Sequence, residues 1–227
     1  MSGSGSAGSV GAGSGSLGSG TVVRSTDFGG LTIRSDERLL EPREWTTMQS
    51  RWAADLLVEL PDGPVLEVCS GAGQIGLLAV VGSQRRLVCV DVEPAASAYT
   101  LENAAAAGLA DRVETRTGPM QDVVAEGEQF PLVIADPPWV PRSGTSRFPE
   151  DPLLAIDGGE DGLDVARTCL ELIGRHLAPG GAALVQLGTQ EQADHLAAFA
   201  RPIGLTSGEV RTHADRGVVL RLDRPRP

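Results

Sequence analysis

The strongest constraint on the fold is an alternation of short apolar runs with longer segments of helical periodicity. The apolar runs lie at 65–68, 87–90, 113–115, 132–135 and 182–187. The helical patterns lie at 75–81, 95–107, 165–177 and 190–201. Such alternation is typical of a mostly parallel sheet with helices on both faces. Two further strand patterns, at 205–211 and 218–222, predict a closing antiparallel pair. The sequence therefore predicts an α/β fold with a Rossmann-like, seven-stranded sheet.

The ends of the chain and its composition bound the domain organisation. Residues 1–20 are almost entirely Gly, Ser and Ala, which predicts a flexible tail or linker that cannot bury a core. Residues 21–227 remain for a single domain, in which 21–43 predict a short hairpin or loops and 46–60 a helix. The tail lacks the basic and apolar regions of a signal peptide, and no apolar run approaches the roughly 20 residues that span a bilayer. We therefore expect a cytoplasmic protein with no membrane partner.

Charge and cysteine content disfavour two classes of function. The net charge is −11, from 30 acidic and 19 basic residues. Because an acidic surface repels phosphate backbones, nucleic acid is a less favoured partner, although a local basic patch would not show in the total. Cys69, Cys89 and Cys169 are odd in number and lack the spacing of metal ligands. We interpret them as reduced core residues and expect no metal.

A candidate nucleotide site lies where the first strand of the alternation runs into a glycine-containing turn, Leu66-Glu67-Val68-Cys69-Ser70-Gly71-Ala72-Gly73. Glycines here allow a ligand close to the backbone, and the helix that follows presents unpaired N–H groups to an anion. Asp91 ends the next strand pattern, where an acid hydrogen-bonds ribose hydroxyls. The glycines at 71, 73 and 76 also satisfy the G-x-G-x-x-G of dinucleotide enzymes. Glu67 and residues 136–139, however, have no role in hydride transfer.

The second candidate site is Asp136-Pro137-Pro138-Trp139, which closes the apolar run at 132–135. Proline has no N–H, so Pro137 offers only its carbonyl, and an ionised Asp136 is likewise only an acceptor. Two acceptors beside an aromatic ring suit a planar group that carries an NH2. The long irregular stretch at 140–161 is rich in Pro, Gly and charge, which predicts a functional lid.

Together these motifs resemble class I S-adenosylmethionine-dependent methyltransferases, and among them the HemK/PrmC family, which N-methylates glutamine side chains of translation release factors. The resemblance runs from about residue 28 to residue 222. Residues 39–46 are similar to the family's PRPET segment, and residues 136–141 stand where the family has NPPY. Residues 158–164, Gly-Gly-Glu-Asp-Gly-Leu-Asp, match GGxDGL, its most specific segment. The resemblance thus covers nearly the whole chain after the tail.

The resemblance implies that the cofactor is S-adenosyl-L-methionine and that the product is S-adenosyl-L-homocysteine. The methionine moiety would lie against Thr46, Glu67 and the glycine turn, the ribose against Asp91, and the adenine against Met120. The implied cofactor-binding residues are Thr46, Glu67, Cys69, Ser70, Gly71, Gly73, Asp91, Val92, Pro119, Met120 and Asp136. The implied catalytic residues are Asp136, Pro137, Pro138 and Trp139.

In the implied reaction, the Asp136 side chain and the Pro137 carbonyl each accept one N–H of the methyl acceptor, and Trp139 stacks on its planar group. Positioning and electrostatics then supply most of the acceleration. Asp136 stands where the family has Asn, which keeps the acceptor and removes the amide donor.

Four hypotheses about function follow. In the first hypothesis the methyl acceptor is a protein glutamine of the release-factor type, and in the second it is a small-molecule amine or amide. The third is adenine N6 of nucleic acid, because adenine methyltransferases also use DPPW or DPPY. The fourth hypothesis is a cofactor-binding protein without catalysis.

Overall fold

The computed structural model describes residues 22–213 and 216–226, so the predicted tail at 1–20 lies outside the described residues. The strands are β1 Arg24–Phe28, β2 Leu31–Ser35, β3 Val65–Val68, β4 Leu87–Asp91, β5 Val113–Thr117, β6 Phe130–Ala135, β7 Leu177–Leu187, β8 Thr206–Thr212 and β9 Val218–Asp223. The α-helices are α1 Thr47–Leu56, α2 Gln74–Val80, α3 Pro94–Ala106, α4 Met120–Val123, α5 Leu153–Ile156, α6 Asp164–His176 and α7 Gln190–Ala200. Short 3-10 helices are at Glu44–Thr46, Ala110–Arg112, Arg142–Arg147 and Arg201–Ile203.

Seven of these strands form one sheet, in the order β5-β4-β3-β6-β7-β9-β8, and β1 pairs with β2 in a separate antiparallel hairpin. Neighbours from β5 to β7 run parallel, whereas β9 is antiparallel to both β7 and β8. The predicted fold class is therefore confirmed. The direction of strand order reverses between β3 and β6, and open α/β sheets bind ligands beyond the carboxyl ends of the strands at such a point.

Helices cover both faces of the sheet. The hairpin, α1, α2 and α3 pack on one face, and α4, α6 and α7 pack on the other. Consecutive residues of β3 face opposite ways and are both fully buried. Val65 packs in the core beneath the hairpin, α1, α2 and α3, and Leu66 packs in the core beneath α4, α6 and α7. Burial on both faces explains why the central strands are continuous apolar runs. No helix in the described part of the chain is long and apolar enough to cross a membrane.

The hairpin is attached to the rest of the domain by Asn103 of α3. The Asn103 Nδ2 donates to the carbonyl oxygens of Arg34 and Ala72, at 3.0 Å each. Its Oδ1 accepts the backbone N–H of Arg34 at 2.8 Å. Because Ala72 lies in the glycine turn after β3, this one buried amide links the hairpin, α3 and the turn.

Two regions differ from the sequence prediction. The strand predicted at 182–187 begins earlier, at Leu177, directly after α6, because Leu177 pairs with Phe130 of β6. The Pro-Gly-Gly at 179–181 therefore forms an irregularity within the strand rather than a turn that closes the helix. The stretch predicted as irregular, 140–161, contains a 3-10 helix, α5 and a parallel bridge between Val140 and Asp157.

Candidate active site

The glycine turn between β3 and α2 is held by contacts from neighbouring elements. The Gly71 N–H donates to Asp91 Oδ2 at 2.9 Å, and the Gly73 N–H donates to the Ser70 carbonyl at 2.8 Å. Gly73 adopts φ +77°, and a Cβ there would lie 2.8 Å from the Thr100 side chain. Glycine is thus required at this position for conformation and for space. The turn brings Asp91 close to the start of α2.

Cys69 is strained in this turn. Among the described residues it is the one non-glycine residue with a positive φ, at +55°. A side chain in this region costs about 1–2 kcal/mol. The hydrogen bond with Cys169 and burial hold the pKa of the Cys69 thiol well above its usual value. Strain of this kind is common where a backbone is shaped around a ligand.

A cavity of about 320 Å³ opens beside the turn. Seven of the residues predicted for cofactor or catalysis line it: Cys69, Gly71, Asp91, Val92, Met120, Asp136 and Pro138. The other lining residues were not predicted as site residues; among them are Arg38, Leu39 and Leu40 after the hairpin, Gln74 at the start of α2, and Leu154 of the lid. We call this space the first cavity.

The remaining predicted residues lie elsewhere. Thr46, Pro137 and Trp139 line a second cavity, of about 360 Å³. Glu67, Ser70, Gly73 and Pro119 line neither cavity. Ser70 and Gly73 shape the turn through their backbones, and Pro119 precedes the first turn of α4.

Glu67 has a different environment from the one expected of a ligand contact. Its side chain is buried, and it accepts the N–H of Gly76 at 3.0 Å and the thiol of Cys89 at 3.3 Å. A Cβ at Gly76 would overlap the Glu67 carboxyl, so glycine at 76 makes room for this contact. Burial raises the pKa of Glu67 to about 8. Its position supports the start of α2, and contact with a methionine moiety stays a prediction.

Asp91 already uses both carboxylate oxygens. Oδ2 accepts the Gly71 N–H, and Oδ1 accepts the Glu93 N–H at 2.9 Å. Burial raises its pKa above the ordinary value, against these hydrogen bonds, which lower it. The carboxyl nevertheless lines the first cavity at the end of β4, so it fixes the loop and faces the ligand space at once.

Asp136 lies where the two cavities meet. Four residues line both cavities, Leu40, Gln74, Asp136 and Ala155. The Asp136 side chain makes no hydrogen bond to any other described residue, and burial raises its pKa to about 7. A carboxyl without a protein partner that faces two cavities is available to a ligand in either of them. Asp136 follows Ala135 at the end of β6, the position at which the direction of strand order reverses.

The Gln192 side chain fixes the backbone of the Asp-Pro-Pro-Trp segment by a hydrogen bond. The Gln192 Nε2 donates to the Trp139 carbonyl at 2.9 Å and to the Asp161 carbonyl at 3.3 Å. Its Oε1 accepts the Gly188 N–H at 2.9 Å. Gln192 therefore joins α7, the end of β7 and two motifs through one buried amide.

Glycines of the 158–164 segment pack directly on the Asp-Pro-Pro-Trp backbone. A Cβ at Gly158 would clash with the Pro138 carbonyl, and a Cβ at Gly162 would clash with the Trp139 carbonyl. A Cβ at Gly188 would overlap the Trp139 ring. The ring of Trp139 is therefore positioned by close contact with backbone, which leaves its other surface to the second cavity.

Residues of the predicted lid line both cavities. Leu154 of α5 lines the first cavity, and Phe148 lines the second. An ion pair between Arg43 and Asp151, at 2.7 Å, joins the lid to the rest of the domain, and hydrogen bonds of Val140 with Ile156 and Gly158 join its two ends. No group of His, Cys, Asp and Glu side chains within 22–213 and 216–226 could hold a metal ion.

Comparison of the chain with known structures defines its class. A methyltransferase from Pyrococcus furiosus superposes with a TM-score of 0.64 at 18% identity, over 87% of this chain and 90% of that one. The ribosomal protein L11 methylase from Lactobacillus delbrueckii subsp. bulgaricus gives 0.62 at 13% identity, over 81% and 80%. With the strand order above, these matches define a class I methyltransferase fold.

Sequence comparison narrows the class to a family. The release factor glutamine methyltransferase of Deinococcus radiodurans is 34% identical over 78% of this chain and 64% of its own length. That of Clostridium acetobutylicum is 27% identical, over 84% and 69%. The ribosomal protein uL3 glutamine methyltransferase of Bradyrhizobium diazoefficiens is 31% identical, over 70% and 54%. No family model matches the chain. The protein is a HemK/PrmC-like homologue of these enzymes, as the sequence predicted, and the matches span 54–69% of their length.

Proposed function

We propose that this protein is an S-adenosylmethionine-dependent N-methyltransferase whose acceptor is a primary amide, the side chain of a protein glutamine. One observation carries the proposal. The Asp136 carboxyl has no partner among the described residues and faces both cavities, so a methyl donor in one and an amide in the other meet at the same side chain. The glutamine-methylating relatives support this acceptor class.

The first cavity suits the methyl donor. The methionine end would lie at the glycine turn, where the start of α2 favours a carboxylate. Asp91 and Val92 would hold the ribose at the end of β4, and Met120 would cover the adenine. Cys69, with its left-handed backbone, contributes wall and shape rather than charge. When bound, S-adenosylmethionine supplies a methyl group on a positively charged sulfur.

The chain's own residues prepare the nitrogen for attack. An amide nitrogen is a weak nucleophile because resonance withdraws its lone pair. The Asp136 carboxylate and the Pro137 carbonyl accept its two N–H groups, which fixes the direction of the lone pair. Methyl transfer to this nitrogen would convert S-adenosylmethionine to S-adenosylhomocysteine and would release one proton from the nitrogen. Asp136, with a pKa of about 7, is the base that takes it.

The second cavity suits a side chain presented by a protein. Trp45, Trp139 and Phe148 supply flat apolar surface, and Glu41, Arg43 and Arg216 supply charge at its edge. A planar amide would stack on Trp139 while its NH2 reaches Asp136. The net charge of −11 disfavours a nucleic-acid acceptor. We propose a release factor or a ribosomal protein as partner.

The test is transfer of isotopically labelled methyl to three acceptor pools, namely release factors with ribosomal protein uL3, single-stranded nucleic acid, and a metabolite extract. Label in a glutamine side chain supports the proposal, and label confined to the nucleic acid or the metabolites refutes it. Asp136→Ala should lose transfer and keep S-adenosylhomocysteine binding by calorimetry, whereas Asp91→Ala should weaken it. Asp122→Ala is the matched control, since that carboxyl is exposed and lines neither cavity.

A further inference from the structure

Gln74 is a second polar side chain at the junction of the two cavities. It is the first residue of α2, and of the four residues that line both cavities only Gln74 and Asp136 are polar. Leu40 and Ala155 complete the junction with apolar surface. A ligand at this junction can therefore make polar side-chain contacts only with Gln74 or Asp136.

The Gln74 carboxamide makes no hydrogen bond to any other described residue. Its Oε1 is buried and has no hydrogen-bond partner among the described residues, and its Nε2 donates to none of them. The Nε2 groups of two other buried glutamines are occupied, since Gln49 Nε2 donates to the carbonyls of Ala135 and Leu184, and Gln192 Nε2 donates to the Trp139 carbonyl. Gln49 Oε1 and Gln186 Oε1 also lack partners, so the unoccupied Nε2 at the junction is what distinguishes Gln74. A ligand amide, with N–H groups and a carbonyl, can use both ends of this carboxamide.

The proposed acceptor amide needs a hydrogen-bond donor, and Asp136 as a carboxylate cannot supply one. A primary amide has N–H groups that need acceptors and a carbonyl that needs a donor. As a carboxylate, Asp136 accepts only. Gln74 carries two N–H donors at the same junction, so the two side chains together complement both ends of an amide.

We propose that Gln74 is a substrate-binding residue for the acceptor amide, its Nε2 donating to the carbonyl oxygen while Asp136 accepts an N–H. This inference rests on the proposed function. As the nitrogen loses its proton, negative charge moves to the carbonyl oxygen, where a fixed donor stabilises it. An amine without a carbonyl gains nothing from this contact. Gln74 thus selects amides over amines.

The experiment compares Gln74→Leu, Gln74→Glu and the wild type on a glutamine peptide, with S-adenosylmethionine affinity measured by calorimetry. We expect both variants to lose roughly 100-fold in kcat/KM for the peptide, as is usual for a lost donor to a developing oxyanion, with the S-adenosylmethionine Kd of Gln74→Leu changed less than about threefold. Gln190→Leu is the matched control, because Gln190 is the exposed first residue of α7.

Three results would overturn the inference. Unchanged peptide turnover in Gln74→Leu would show that the donor is not used. Cofactor affinity lost in proportion to turnover would place Gln74 in the donor site instead. Wild-type protein that transfers methyl to no amide would remove the proposed function itself, and with it this role, whereas the first two results leave the proposed function intact. Gln74→Glu keeps the size of the side chain, so loss in this folded variant is not a packing effect.

Discussion

Ionisation of Asp136 should make the affinity for S-adenosylmethionine depend on pH, while leaving the affinity for S-adenosylhomocysteine unchanged. The two ligands differ by the methyl group and the positive charge on sulfur. Burial raises the pKa of Asp136 to about 7, so roughly one tenth of the carboxyl is ionised at pH 6 and nine tenths at pH 8. If the sulfonium binds only the ionised form, its Kd should tighten about tenfold across this range, which is about 1.4 kcal/mol.

Calorimetry with both ligands at pH 6, 7 and 8 measures this effect, and proton release appears as a dependence of the binding heat on the buffer. S-adenosylmethionine should release close to one proton near pH 6, and S-adenosylhomocysteine close to none. Asp136→Asn should flatten the profile of S-adenosylmethionine and leave that of S-adenosylhomocysteine as it is. Ionisation of Asp91 or Glu67 acts on features that the ligands share, so equal pH dependence for the two ligands would refute the placement of Asp136 beside the sulfur.

Three further predictions concern stability. Because the folded pKa of Asp136 is raised, the native state holds its proton longer than the unfolded chain, and this group should cost wild type up to about 4 kcal/mol of stability between about pH 4 and pH 7. Glu67, with a pKa of about 8, adds a loss of the same sign to wild type and variant alike, so denaturant unfolding of Asp136→Asn should show a loss smaller by the Asp136 share. Asn103→Ala should cost about 2–4 kcal/mol by the same measurement, since it leaves both backbone groups of Arg34 and the Ala72 carbonyl without this partner; a cost below 1 kcal/mol would contradict this. Cys69→Gly should be about 1 kcal/mol more stable than Cys69→Ala, the reverse of the usual order, and equal stabilities would show that the positive φ carries no strain.

Local pattern predicted most of the fold, because the central strands are buried on both faces. The bounds of β3 agree with its apolar run to the residue, and those of β4 and β6 agree to within two. The start of β7 was wrong because it depends on pairing with Phe130, a distant residue that no local pattern reveals. α5 was not predicted because a helix of four residues has no measurable periodicity.

Site residues at the ends of parallel strands were predictable from the sequence, and site residues elsewhere were less so. Asp91 and Asp136 end parallel strands, so their meeting at one edge of the sheet followed from the fold. The environment of Glu67 could have been anticipated from Gly76, the glycine that makes room for its carboxyl in α2. Gln74 and Gln192 were not recognised as site residues, because glutamine has no characteristic spacing and its role depends on which backbone or ligand lies within reach.

The segment at 158–164 contributes to the site without lining it. None of its residues borders either cavity. Instead, its glycines allow close contact with the carbonyls of Pro138 and Trp139, and Gln192 bonds to both segments. Any side chain at these glycines would push the Asp-Pro-Pro-Trp backbone toward the cavities. The 158–164 segment therefore supports the Asp-Pro-Pro-Trp segment, and we propose that the choice of acceptor depends on the side chains that border the second cavity, Gln74 and Asp136 among them.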